Sequence, residues 1–377
     1  MENKANRIEI AETIYTQLIA NENNAMALWQ ANLTALKLDD QALPKLDVLT
    51  CVYNAEAFVA HAIESILWQS YPNIHLVIVT DPCTDNTIAI IESYCAKYPN
   101  ITLVQNQEHK GIIDCFNIGL NYCESDYIAR MDLDDLIHPL RFEKQMHYLL
   151  SHPDIDVVSC FMRIFDEQFQ TKDVTYREDM DMQKITTLFY SPLSHAGSIF
   201  KANVLQSLKY VQGYVYAEDY NLWYRILKQF KTHVYPEFLY LYRTHSNQVT
   251  NTKNTEIIRA SLLLILSKNL NDLNIEWRKE QALLFVNTMM LHNQSIDQNN
   301  WMQVNALLKD LIRHNAQKQL FNQRKLKSFI YLNYWLPNFE QVYKHISFRD
   351  LFISIQSDCN IGSTSNNIKT ILKYYTT

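Results

Sequence analysis

The 377-residue sequence predicts an α/β protein: a Rossmann-like, mostly parallel central sheet flanked by helices, with helical extensions at both ends. Three observations carry that expectation. Short continuous apolar runs read as strands buried on both faces, and helix-length segments separate them, the alternation that builds a parallel sheet covered on both sides. Before residue 46 and after about residue 250 the alternation stops and the chain reads as helix alone, which divides it into 1–45, 46–250 and 251–377. Polar clusters at Tyr53-Asn54, at Asp81 and at Asp132 to Asp135 fall at strand ends, where sheets of this kind hold ligands.

In the first extension, Ala25, Leu28, Trp29, Leu33 and Leu36 follow the i, i+3, i+4, i+7 spacing of an amphipathic helix, a face for packing on the main domain or a partner. The main domain opens with a strand over Leu46 to Val52 and a helix from Ala55 to Ser70, closed by Tyr71-Pro72. A second strand, Ile74 to Val79, leads through Thr80-Asp81-Pro82 to a helix over Thr84 to Lys97. A strand over Ile101 to Val104, a helix over Lys110 to Cys123 and a strand over Tyr127 to Met131 follow. A helix from Pro139 to Ser151 then precedes a strand over Ile155 to Cys160, for which Arg163 to Phe165 is the expected partner. After a looser stretch, 166–192, Glu218 and Asp219 open a helix whose first turn suits carboxylates. His233 to Tyr242 reads as a strand, and Ile257 to Leu270 and Ala282 to Leu291 as helices. Trp301 to Asp350 interleaves Lys and Arg with aromatic residues. It reads as a packed helical pair with a solvated face, the alternative being peripheral contact with the inner face of a membrane.

Composition excludes several classes. A net charge of -6 gives no support for a nucleic-acid partner. With five glycines there is no Gly-rich phosphate cradle, so bound phosphates must be held by metal and side chains. Seven cysteines without a C-x-x-C pair fit free thiols in a reducing cytosol. A polar amino terminus and apolar runs far short of the roughly 20 residues of a spanning helix point to a cytoplasmic protein.

The chemistry concentrates in Tyr127 to Leu136, a short strand that runs into Asp132, Asp134 and Asp135. Three acids this close repel one another unless a cation or hydrogen-bond donors sit among them. Hard oxygen ligands suit Mg²⁺ or Mn²⁺, which take one or two carboxylates and fill their shell with water and phosphate oxygens. The other reading is a solvated acidic turn that caps the next helix. Polar clusters at neighbouring strand ends favour the metal.

Several motifs, in order, resemble glycosyltransferase family 2, the inverting, nucleotide-sugar-dependent enzymes of GT-A fold. Val48-Leu-Thr-Cys-Val-Tyr-Asn-Ala-Glu56 is similar to the family's first strand and Tyr-Asn turn, and Ala62 to Tyr71 to the helix after it. Val79-Thr-Asp-Pro-Cys-Thr-Asp-Asn-Thr87 resembles its Asp-Asp-Gly-Ser-Thr-Asp-Asn-Thr, with Thr80 and Pro82 as departures. Lys110-Gly111 with Asn117, then Ala129 to Asp135 with Pro139, Arg141 and Gln145, resemble the helix and Asp-x-Asp region that follow. Glu218-Asp219, six residues before Arg225, resembles the acidic pair that supplies the base. The resemblance covers roughly 46 to 250.

It implies roles for this chain's residues. Tyr53 would stack on the uracil of a UDP-sugar and Asp81 would bond it, with Asn54, Lys110 and Arg130 also on the nucleotide. Asp132 would meet the ribose or the metal shell. Asp134 and Asp135 would hold Mn²⁺ or Mg²⁺, the spacing not deciding which is the direct ligand, and His245 would approach the metal or diphosphate. Asp219 would be the general base, oriented by Glu218, and His195 would line the acceptor side. The implied activity moves a sugar to a hydroxyl of a glycan or glycolipid with inversion. A pyrophosphorylase is disfavoured by the absence of a Gly-rich loop after the first strand, and a processive synthase by the absence of Gln-x-x-Arg-Trp. The rival from another class is a binding or scaffold protein on an inactive GT-A domain, against which the retained Asp134, Asp135 and Asp219 argue.

Overall fold

The computed structural model describes residues 2–18, 20–37, 43–245, 255–291 and 298–335. Contacts divide the chain into two units, Met1–Ile265 and Leu266–Thr377. The first unit holds one mixed, mostly parallel sheet, with strands β1 (Leu46–Val52), β2 (Ile74–Thr80), β3 (Ile101–Gln105), β4 (Tyr127–Arg130), β5 (Leu136–Ile137), β6 (Val157–Phe165), β7 (Thr171–Val174), β8 (Ile199–Lys201) and β9 (Thr232–Arg243). Their order is β3-β2-β1-β4-β8-β6-β9-β5, with β7 paired to β6. β1 to β4 are parallel; β8 runs antiparallel between β4 and β6. The apolar runs pack as the composition of a doubly covered sheet requires: Leu46, Val48 and Ile78 enter one core, Leu49, Val77 and Val79 the other.

The helices are α1 (Glu2–Leu18), α2 (Glu22–Ala31), α3 (Leu33–Leu36), α4 (Val59–Leu67), α5 (Thr87–Cys95), α6 (Ile112–Gly119), α7 (Arg141–Ser151), α8 (Met180–Thr186), α9 (Ala202–Leu208), α10 (Glu218–Gln229) and α11 (Thr255–Asp272). α6 rests on β1 and β2 so closely that a Cβ on Gly119 would overlap the Leu49 and Val79 side chains. α1 and α2 bury Ile14, Leu18 and Trp29 in a third cluster with Trp68, Leu136 and Leu241, and the Trp29 indole donates to the Trp68 carbonyl at 3.0 Å.

Two sequence expectations change. α4 and α5 start later than Ala55 and Thr84, because the loops before them bond each other: Ala55 N donates to Thr87 Oγ1 at 2.7 Å and Thr84 N to Asn54 Oδ1 at 2.8 Å. Arg163 to Phe165 is not a partner strand but the continuation of β6, whose partner is β7, with Arg163 paired to Asp173 across the ladder. The break expected near Cys160 is a register shift against β9, where Cys160 faces Tyr235 and Phe161 faces Phe238. Pro236 lies in that irregularity, the place a strand tolerates proline.

In the second unit α12 (Lys279–Phe285), α13 (Gln298–Lys318) and α14 (Gln323–Ile330) enclose Phe285, Trp301, Leu308 and Leu326. The buried Asn315 amide ties the α13–α14 turn, accepting from Phe321 N and donating to Phe321 O, both at 2.9 Å. The aromatic, basic stretch foreseen from Trp301 to Asp350 is thus packed helix as far as Trp335, and its remainder lies outside the described residues. No described helix is long and apolar enough to cross a membrane. The described cysteines are free, and Cys359 lies outside the described residues.

Candidate active site

The three acids separate by environment. Asp135 is fully buried: one oxygen accepts from the Tyr240 hydroxyl and the other from Arg243 N at 2.7 Å. Burial, with the Asp134 and Asp132 charges beside it, pushes its carboxyl well above the usual range. Asp132 and Asp134 stay open, with side chains 32% and 29% exposed. Arg130 Nη2 donates to Asp132 at 2.6 Å, and His245 Nε2 lies 3.5 Å from Asp134 Oδ2. Four helices, α7 to α10, and the strands β5 to β8 separate His245 from the acids in the chain, and β9 brings it back to them. Among the described residues no group of three or more His, Cys, Asp or Glu side chains is placed to hold a metal ion. The Asp134–His245 contact has the donor chemistry of a site that lends a divalent cation one or two protein ligands and leaves the rest of its shell to water and phosphate oxygens. Asp135, expected as a possible ligand, has both oxygens engaged by the fold.

The floor beneath these acids is aromatic. The Arg130 guanidinium lies 4.2 Å from the Phe116 ring centroid, and Phe116 stacks on Tyr210 at 4.7 Å. His195, expected to line the acceptor side, belongs to this floor: it is 8% exposed and its Nε2 meets the Tyr210 hydroxyl at 2.7 Å. Burial and the nearby Arg130 charge drive its pKa well below the ordinary 6.5, so it is neutral. Arg141 and Gln145 explain their place in the motif. Arg141 Nη2 donates to Arg130 O at 3.0 Å and Ala196 O at 2.8 Å, and Gln145 Nε2 to Gly197 O at 2.8 Å. They satisfy the carbonyl at the end of β4 and two just before β8, and so tie the start of the acidic turn to the neighbouring strand.

The base-binding candidates form a second cluster. Tyr53 is half exposed, its ring edge-on to His109 with centroids 5.4 Å apart. Asn54, in the left-handed region at φ 49°, donates its amide to Thr84 Oγ1 at 3.0 Å and so joins two loops. Asp81 is buried and accepts from Asn106 at 2.9 Å, Lys110 N at 3.1 Å and Gly111 N at 2.9 Å. Burial would raise its carboxyl, but the bonds from Asn106, Gly111 and Lys110 overcome that and hold it low. Asp81 therefore organises the 106–111 loop opposite Tyr53, and Gly111, at φ 82°, gives that loop a turn other residues resist. The Lys110 ammonium, expected on the nucleotide, pairs with Glu108.

Glu218 and Asp219 form the first turn of α10. The Ser191 hydroxyl donates to Asp219 Oδ2 at 3.3 Å, and Tyr220 N to Oδ1 at 2.7 Å. The preceding Tyr216, at φ 62°, is a bulky residue in the left-handed region, a conformation that persists where surroundings impose it.

Comparison with known proteins decides the family. Residues 47–206 match the model of glycosyl transferase family 2. The putative glycosyltransferase EpsE of Bacillus subtilis is 34% identical over 226 residues, covering 59% of this chain and 81% of that one. The chain belongs to glycosyltransferase family 2. The minor teichoic acid biosynthesis protein GgaB of B. subtilis is 26% identical over 75% of this chain, which spans 34% of GgaB. A crystal structure of S. aureus TarS 1-349 in complex with UDP-GlcNAc shares the fold at a TM-score of 0.53 and 18% identity, covering 76% of this chain and 86% of that one. The family 2 enzyme thus has the GT-A type of sheet the sequence predicted, and it is a glycosyltransferase.

Sequence reasoning passed over two contributors. Glu22, at the start of α2, forms a bidentate pair with Arg243, and Phe58 packs its ring on His245 with centroids 4.5 Å apart. Neither lies in a polar cluster at a strand end, the signal that marks Tyr53, Asp81 and the three acids.

Proposed function

We propose that this glycosyltransferase uses a UDP-sugar and a divalent cation, Mn²⁺ or Mg²⁺, and inverts the anomeric carbon. The observation that carries the reading is the pair of open carboxylates, Asp132 and Asp134, with His245 brought against Asp134. Asp134 and His245 would hold the cation, with Asp132 at its edge. Bound there, it would offset charge developing on the leaving diphosphate. The exposed Tyr53 ring would stack on the base, across from the loop that Asp81 organises. Arg130, fixed over Phe116, keeps Asp132 oriented.

Asp219 takes the proton of the acceptor hydroxyl as it attacks, help typically worth about 10²–10⁴-fold. Ser191 holds one carboxylate oxygen, and Glu218 shares the turn. Attack opposite the leaving group needs no second nucleophilic carboxylate. The uridine donor follows the TarS fragment bound to UDP-GlcNAc, and the glycan or glycolipid acceptor follows the teichoic acid relative; both assignments are proposals for this chain. A cytoplasmic location, with peripheral contact at the inner membrane face as a variant of it, accords with a donor made in the cytosol. The test is turnover of a panel of UDP- and GDP-sugars by purified protein, with and without chelator. Metal-dependent release of UDP supports the reading; full turnover in EDTA, or turnover confined to GDP-sugars, overturns it.

A further inference from the structure

Glu22 lies outside the region matched by the family model and has no part in the chemistry above. Its side chain is 12% exposed and takes both outer nitrogens of Arg243, Nη1 on Oε2 at 2.7 Å and Nη2 on Oε1 at 2.9 Å. The third nitrogen of the same guanidinium, Nε, donates to the Asp134 main-chain carbonyl at 2.9 Å. Arg243 N donates to Asp135 Oδ1 at 2.7 Å. A guanidinium is a rigid planar fork, so fixing its two outer nitrogens fixes the direction of Nε. Its flat face lies 5.0 Å from the Phe58 centroid, and Phe58 in turn abuts the His245 ring. One ion pair therefore supports both the backbone of Asp134 and the stack behind His245. On its other side Glu22 Oε1 meets His61 Nδ1 at 2.6 Å, a contact that leads away from the acids.

We propose that Glu22, in the helical extension, is a positioning residue for the metal site: through Arg243 it holds Asp134 and His245 in the arrangement that takes the divalent cation. The inference rests on the reading of Asp134 and His245 as ligands given above. Groups that orient metal ligands typically change affinity by 10–100-fold when removed, which sets the size of effect to look for.

The experiment titrates Mn²⁺ into the full-length protein, following free Mn²⁺ by electron paramagnetic resonance, with melting temperature measured on the same samples. Glu22→Gln should weaken Mn²⁺ binding by about 10-fold. His61→Gln removes the other partner of Glu22 and should leave Mn²⁺ affinity within about twofold of the parent. Parent-like affinity in Glu22→Gln, or an equal loss in His61→Gln, overturns the proposal, since a purely structural role would move both variants together. Should Glu22→Gln fail to fold, Glu22→Asp keeps the charge on a shorter stem; weakened binding there supports the proposal and parent-like binding overturns it. Asp134→Asn completes the set. Loss of Mn²⁺ in Asp134→Asn with parent-like binding in the Glu22 variants refutes the positioning role alone. Parent-like binding in Asp134→Asn refutes the ligand assignment, and the positioning role with it.

Discussion

The Tyr240 hydroxyl donates to the Asp135 carboxylate, closing inside the fold an acid whose neighbour Asp134 is open. Adjacent residues therefore face opposite tasks, and their amide variants should differ. Asp135→Asn replaces one oxygen by an amide donor facing Tyr240 or Arg243 N, and should cost about 1–3 kcal/mol, the cost of leaving a buried polar group without its partner. Asp134→Asn should melt within about 0.5 kcal/mol of the parent yet lose about 10²-fold or more in metal-supported transfer. Urea melts and turnover of the two proteins decide it; a destabilised Asp134→Asn with normal turnover would reverse the assignment.

His195 supplies a prediction by being neutral. Burial raises the Tyr210 hydroxyl far beyond its ordinary range, so it stays protonated and bonds the neutral His195 ring at Nε2. Removing the imidazole leaves a buried hydroxyl without that partner, at about 1–3 kcal/mol. His195→Phe should therefore lower stability with no change in the pH dependence of kcat between pH 5 and 8. A limb of the parent's pH profile that vanishes in the variant would return His195 to the chemistry.

The Glu22 contacts make stability depend on pH in two directions. Burial would raise the Glu22 carboxyl, but bonds from His61 and Arg243 bring it down to about 2, against an ordinary 4.5. A lowered acid stabilises the fold while ionised. Its contribution is complete above pH 4.5 and is lost as the pH falls toward 2, a loss of order 3 kcal/mol. His61 moves the other way, raised above 6.5 chiefly by its bond to Glu22. Its contribution is complete below pH 6.5 and is lost as the pH rises through the raised value. Melting temperature against pH should fall on both sides in the parent and be flatter in Glu22→Gln. Parallel profiles would show that the pair contributes nothing.

What could be read from sequence divides along the range of the interactions. Mostly apolar strands such as Leu46–Val52 and Ile74–Thr80 carry their own signal, because burial on both faces leaves few polar positions, here Asp47 and Thr50 in one and His75 and Thr80 in the other. The edge strand Thr171–Val174 has no such pattern; it is defined by its backbone ladder to β6, with the Arg163–Asp173 pair across it, and composition alone could not reveal it. In the site, Tyr53, Asp132, Asp134 and Asp219 are legible because a polar residue at a strand or helix end stands out. The burial of Asp135 and His195 depends on Tyr240 and Tyr210, which only the folded chain brings beside them. Glu22 and Arg243 are 221 residues apart, so nothing local could join them.

The general base gives the last prediction. Glu218 and Asp219 both sit where a first-turn acid stabilises a helix, so each has a structural explanation. At Asp219, Ser191 holds one oxygen and Tyr220 N the other, which sets the direction of the carboxylate. Asp219→Asn keeps the shape and one acceptor oxygen, so stability should change by less than the ~1 kcal/mol of a lost cap. Transfer should nevertheless fall by about 10²-fold or more, because an amide cannot take the acceptor's proton. Binding of UDP by calorimetry should stay at the parent's value, since the loss is confined to the chemical step. Ser191→Ala should weaken the effect of the base without abolishing it, lowering kcat far less than Asp219→Asn. An Asp219→Asn protein that turns over like the parent would move the role to Glu218, whose amide variant belongs in the same assay.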